Sequence, residues 1–141
     1  MDAASGAPSS TDDVAVEPET ILIVDDDRAV LNGLRELLEN EGYAVATAID
    51  GVEALQLLHA GLRPCAILLD LMMPRMDGWD FRHEQLKDPR LKDLPIIVIT
   101  AAGFSEASIK TQFGPIEFVA KPPPERALLD AIRRSCGEPT R

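Results

Sequence analysis

Five short apolar runs constrain this chain more than any other feature of it. They are "ILIV" (21–24), "YAVATA" (43–48), "AILL" (66–69), "IIVI" (96–99) and "IEFVA" (116–120). Four apolar residues in succession, without polar alternation, suit a strand buried on both faces, as in a parallel sheet covered by helices. "YAVATA" alternates more than the others and is expected at a sheet edge. Between the runs the period changes to that of a helix. In 27–40, Val30, Leu34, Leu37 and Leu38 share one face and Gly42 follows as a terminator. In 51–60, Val52, Leu55 and Leu58 recur. Residues 78–87 carry Trp79, Phe81 and Leu86, and a loop follows. A short helix at 105–112 is only weakly marked, and 123–134 opens on prolines, which a first helical turn tolerates.

The order βαβαβαβαβα predicts an α/β fold: a doubly wound parallel sheet with right-handed connections and helices on both faces. The flavodoxin-like strand order 2-1-3-4-5 suits it, with the ligand crevice at the C-terminal ends of strands 1 and 3, joined by those of 4 and 5. At 141 residues the chain has the size of one domain. The expected organisation is an acidic disordered tail over 1–19, a domain over 20–135 and a short tail over 136–141. Half of the net charge of −10 sits in the first of these, on Asp2, Asp12, Asp13, Glu17 and Glu19. Such acidity argues against direct nucleic-acid binding. No apolar run approaches a membrane span, and no signal peptide is visible, so the chain reads as cytoplasmic. In that compartment Cys65 and Cys136 are expected as reduced thiols. His59 and His83 read as surface residues.

The residues that end the strands carry the chemistry. Strand 1 runs into Asp25, Asp26 and Asp27, strand 3 into Asp70, strand 4 into Thr100 and strand 5 into Lys121. Singly, each has an ordinary structural role: an aspartate caps a helix, a threonine makes a turn, a lysine is a solvated charge. For Asp27, at the start of the first helix, the N-cap is the preferred reading. Together they converge on one sheet edge. Grouped carboxylates repel one another unless a cation neutralises them, and a hard divalent ion such as Mg²⁺, with oxygen ligands, does so. Lys121 as a point charge and Thr100 as a hydrogen-bond donor then suit the oxygens of a phosphoryl group.

Over residues 20–135 the chain resembles the receiver domain of two-component response regulators. The motifs are "ILIVDDD" (21–27), "LLDLMMPRMDG" (68–78), "IIVITA" (96–101) and "FVAKP" (118–122). The resemblance implies that Asp70 accepts a phosphoryl group from a sensor histidine kinase or a phosphotransfer protein. It implies that Asp25, Asp26 and Asp70, with the backbone carbonyl of Met72, hold Mg²⁺. Thr100 would hydrogen-bond the phosphoryl group and Lys121 would pair with it. Thr100 and Phe118 would form the switch, and Pro122 would follow a cis peptide bond. The face made by the fourth helix, fifth strand and fifth helix would contact a downstream protein, with no membrane and no direct nucleic-acid partner. The chemistry the resemblance implies would be self-catalysed transfer and autodephosphorylation rather than turnover of a substrate. In the family it resembles, the positions two residues beyond the phosphoacceptor and the threonine influence hydrolysis; here they are Met72 and Ala102, which lack groups to orient an attacking water, so a long-lived acyl phosphate is expected.

The chain ends soon after the fifth helix, which suits a stand-alone receiver; a receiver cut from a longer protein is the other reading. An aspartyl-phosphate phosphatase would want a second acid two residues after the nucleophile, where Met72 stands. A pseudo-receiver acting only as an interaction module would be expected to lack Asp70, Thr100 or Lys121, and all three are present.

Overall fold

The computed structural model describes residues 19–100, 105–114 and 116–137. Ten elements alternate: β1 (Thr20–Val24), α1 (Arg28–Asn40), β2 (Ala44–Ala48), α2 (Gly51–His59), β3 (Ala66–Leu69), α3 (Gly78–Lys87), β4 (Ile96–Thr100), α4 (Glu106–Phe113), β5 (Glu117–Ala120) and α5 (Glu125–Cys136). The five strands form one parallel sheet in the order β2-β1-β3-β4-β5. This is the expected fold, with β2 at an edge. The acidic stretch over 1–18, expected as a tail, lies outside the described residues, as does Ala102.

Strand parity divides the core in two, since successive side chains point to opposite faces. Ile21, Ile23, Leu68, Ile97 and Ile99 pack under α1 and α5, against Leu31, Leu34, Leu38, Leu128 and Ile132. Leu22, Val24, Ile67, Leu69 and Val98 pack under α2, α3 and α4, against Leu58, Phe81, Ile109 and Phe113. β1, β3 and β4 are therefore buried on both faces almost throughout. Burying one such aliphatic side chain contributes about 1.5–3 kcal/mol, so the three central strands are the rigid part of the molecule.

Helix starts follow local chemistry. Asp27, Asp50, Asp77 and Ser105 cap α1, α2, α3 and α4, each accepting a backbone N–H of the first turn. α5 lacks a side-chain cap: Pro124 occupies the N-cap position, and the helix starts two residues later than the prolines suggest. In α3 the apolar pattern misleads, because Leu86 is 48% exposed while Gln85 is buried. Gln85 takes the inward position because its Nε2 donates to the carbonyls of Leu91 (2.8 Å) and Leu94 (3.1 Å), closing the loop into β4.

The cysteines depart from expectation. Cys65 and Cys136 form a disulfide across a sequence separation of 71 residues. The cause is topological: Cys65 precedes β3 and Cys136 is the last residue of α5, which packs across that sheet face.

Candidate phosphoryl and cation site

The C-terminal edge of the sheet gathers the residues that end β1, β3, β4 and β5. Ladder hydrogen bonds continue into them: Asp25 N–H donates to Ala48 (3.0 Å), Asp70 N–H to Val24 (3.0 Å) and Lys121 N–H to Thr100 (2.9 Å). Asp25, Asp70 and Thr100 are buried, whereas Asp26 is exposed. One carboxylate oxygen from each of Asp25, Asp26 and Asp70 lies within 4.8 Å of the other two. Lys121 Nζ lies 2.6 Å from Asp25 Oδ2 and 3.5 Å from Asp70 Oδ2. The peptide bond from Lys121 to Pro122 is cis, as expected.

Asp27 does not join the cluster as a ligand. Its Oδ1 accepts the N–H groups of Ala29 (2.9 Å) and Val30 (3.3 Å), and its own N–H donates to Asp25 Oδ1 (2.9 Å). It caps α1 and orients Asp25 at once.

The electrostatics are those of a carboxylate group short of cations. Burial, and then the charge of Asp25, pushes the Asp70 carboxyl above its ordinary range, against the pull of Lys121 and the Met72 N–H. Burial works against the ammonium of Lys121, but its contacts with Asp25 and Asp70 prevail and raise it. Three carboxylates face one lysine here, and all their free donors are oxygen. That is the donor set of a hard divalent cation. A second observation comes from β4. Thr100 Oγ1 is buried and has no hydrogen-bond partner among the described residues, so a donor stands ready on the rim of the carboxylate group.

Phe118 lies in β5, in register with Val98, half-buried against the α2–α3–α4 side of the core. Strand parity puts Thr100 and Phe118 on the same sheet face. Met72 stands just beyond Asp70 and is 61% exposed.

Sequence reasoning passed over Asp50 and Arg75. They join the loop after β2 to the loop after β3 through an ion pair, Arg75 Nε to Asp50 Oδ2 at 2.6 Å. The signal available was slight: an aspartate before a glycine at a helix start reads as a cap, and so it is. The cation that also uses it lies 25 residues further along the chain.

The model for the response regulator receiver domain matches residues 21–133. A response regulator MprA from Mycobacterium sp. (strain KMS) is 45% identical over 117 residues, which are 82% of this chain and 50% of that protein. The chain thus spans about half the length of the curated relatives it matches. Among solved structures, a response regulator from Chloroflexus aurantiacus J-10-fl superposes with a TM-score of 0.75 at 34% identity, covering 84% of this chain and 97% of its own. The receiver domain of sensor histidine kinase PA1611 from Pseudomonas aeruginosa PAO1 does so at 0.74 and 26% identity, covering 85% and 98%. That structure has a magnesium ion coordinated in its active site cleft.

Proposed function

The chain belongs to the response regulator receiver family, and from that premise we propose that Asp70 accepts a phosphoryl group from a sensor histidine kinase or a phosphotransfer protein. The observation that carries this reading is the Asp70 carboxylate on a rigid strand tip, 3.5 Å from Lys121 and beside a buried, unpartnered Thr100 hydroxyl. An Asp70 oxygen attacks the phosphorus of a phosphohistidine; the P–O bond forms as the P–N bond breaks, and the imidazole leaves with the electron pair. The transition state is loose, so the protein contributes positioning and charge rather than covalent chemistry. Lys121 has two carboxylates within reach and would turn to a phosphoryl oxygen as charge builds there. Thr100 would donate its hydroxyl to another. Asp25, Asp26, Asp70 and the Met72 carbonyl would hold Mg²⁺, which when bound offsets the negative charge of carboxylates and phosphate together. Transfer and later hydrolysis are then acts of the receiver on itself, with no separate substrate turned over.

The phosphorylated state would signal through the α4–β5–α5 face, with Thr100 and Phe118 coupling site to surface. A hollow of about 450 Å³ on that face, lined in part by Phe118, Ala120, Pro124 and Ala127, supports a protein partner there. We assign the chain to the cytoplasm, in line with the family and with a set of described helices of which none is long and apolar enough to cross a membrane. Thiols are kept reduced in that compartment, so the Cys65–Cys136 bond would open wherever reductant reaches it.

The test is labelling with a small phosphodonor and Mg²⁺. The parent should gain the mass of one phosphoryl group, and Asp70→Asn, which keeps the shape and removes the nucleophile, should gain none. Labelling of the variant at the parent's level would defeat the assignment.

A further inference from the structure

Arg75 is the one non-glycine among the described residues with a positive φ, 64°. In that left-handed region the Cβ of an ordinary L-residue crowds its own backbone, and arginine has no local hydrogen bond to offset this. Something outside the loop holds it there, and the contacts identify what. Arg75 Nε meets Asp50 Oδ2 at 2.6 Å, while Asp50 Oδ1 accepts the Glu53 N–H at 2.9 Å as the cap of α2. The Asp50 side chain is only 2% exposed. Burial alone would push its carboxyl up, yet the bonds from Arg75 and from Glu53 hold it below its ordinary range.

Two further contacts run in parallel. Gly51 N–H donates to the Met76 carbonyl at 3.0 Å. A Cβ on Gly51 would meet Met76 Cγ at 2.7 Å, so any larger residue there would have to shift the methionine side chain. The far end of the loop is closed by Gly78 N–H on the Leu71 carbonyl, 3.0 Å. Residues 71–77 are thus fastened at both ends, and Met72 lies between the fastenings.

We propose that Arg75 and Asp50 form a clamp that positions the loop following Asp70, and so sets the affinity of the site for a divalent cation. The inference rests on the phosphoacceptor reading, because it takes the Met72 carbonyl as a cation ligand. Arg75 touches none of the reacting groups; it is a positioning residue. Without the ion pair the left-handed conformation loses its support, and the loop relaxes to states in which Met72 is displaced. An outer residue that orients a ligand usually matters to metal affinity by about tenfold or more.

Arg75→Ala and Asp50→Asn test this in the full chain, singly and combined. Alanine carries the same left-handed cost at position 75 without the ion pair, and asparagine still caps α2 at position 50, so each substitution removes what holds the loop. Mg²⁺ alone is titrated by calorimetry, and exchange of the Gly51 amide is followed in metal-free buffer. Each single variant should bind Mg²⁺ about tenfold more weakly and exchange the Gly51 amide faster. The double variant should be no weaker than the weaker single one, as partners in one interaction require. An Mg²⁺ affinity within about twofold of the parent in either single variant overturns the clamp, whatever the amide does, because the pair would then be structural only. Fully additive losses overturn it too. A parent that binds no Mg²⁺ defeats the site reading itself, and is told apart because the failure is already present before any substitution.

Discussion

Replacing Thr100 by valine should stabilise the resting protein and weaken the phosphorylated one. Thr100 is 1% exposed, and its Oγ1 is buried with no partner among the described residues. A buried polar group left without a hydrogen bond costs about 1–3 kcal/mol in mutational series. Valine has nearly the same shape and needs no partner, so Thr100→Val should recover stability of that order, about 1–3 kcal/mol. Each 1 kcal/mol moves the melting temperature of a domain this size by roughly 4 °C. After phosphorylation the sign reverses. On the proposed reading the threonine hydroxyl then donates to a charged oxygen, a hydrogen bond worth about 1.5–3 kcal/mol, which valine cannot make. Phosphorylation should therefore stabilise the parent more than the variant by that amount. Urea denaturation followed by the fluorescence of Trp79, the sole tryptophan, measures both states, the resting one in Mg²⁺-free buffer. A valine variant no more stable than the parent at rest would show that the hydroxyl is satisfied within the folded chain. The argument from an unpartnered donor would then fail.

Three further outcomes are expected. The folded-state pKa of Asp50 lies below its ordinary 3.8, so its ionised contacts contribute fully above that pH and are lost as pH falls through the folded value. The stability gap between the parent and Asp50→Asn should hold from neutrality down to about pH 4 and narrow in stronger acid; a gap that widens in acid reverses the sign and refutes the shift. The Cys65–Cys136 bond closes a loop of 71 residues, for which chain entropy gives about 4 kcal/mol. A dithiol, or the double serine variant, should lower the melting temperature by ten degrees or more on the same scale, and no shift would mean the reduced ends stay together unaided. Met72 offers an exposed apolar side chain where a polar one could orient water, so Met72→Asn should shorten the life of phospho-Asp70, read by the decay of the labelled mass. Equal decay would place control of hydrolysis elsewhere.

The gathering of the candidate site residues at one sheet edge was legible in the chain because β1, β3, β4 and β5 each run into or end on one of them. A strand tip is a local feature, visible as a change from Leu69 to Asp70 or from Val24 to Asp25, and the alternation of strand and helix brings four such tips to one edge. Fold, edge position of β2, cap at Asp27 and cis bond before Pro122 all follow from neighbours in sequence or from the family motifs. What the sequence leaves undecided is every pairing between distant segments with no periodic pattern to announce it. Leu86 and Gln85 exchanged places because a loop carbonyl at Leu91 needed a donor. Arg75 was drawn to Asp50, and Cys65 to Cys136, across separations of 25 and 71 residues. Those distances collapse only once the sheet has assembled, because burial and hydrogen bonding then select among partners that the linear chain never brings together.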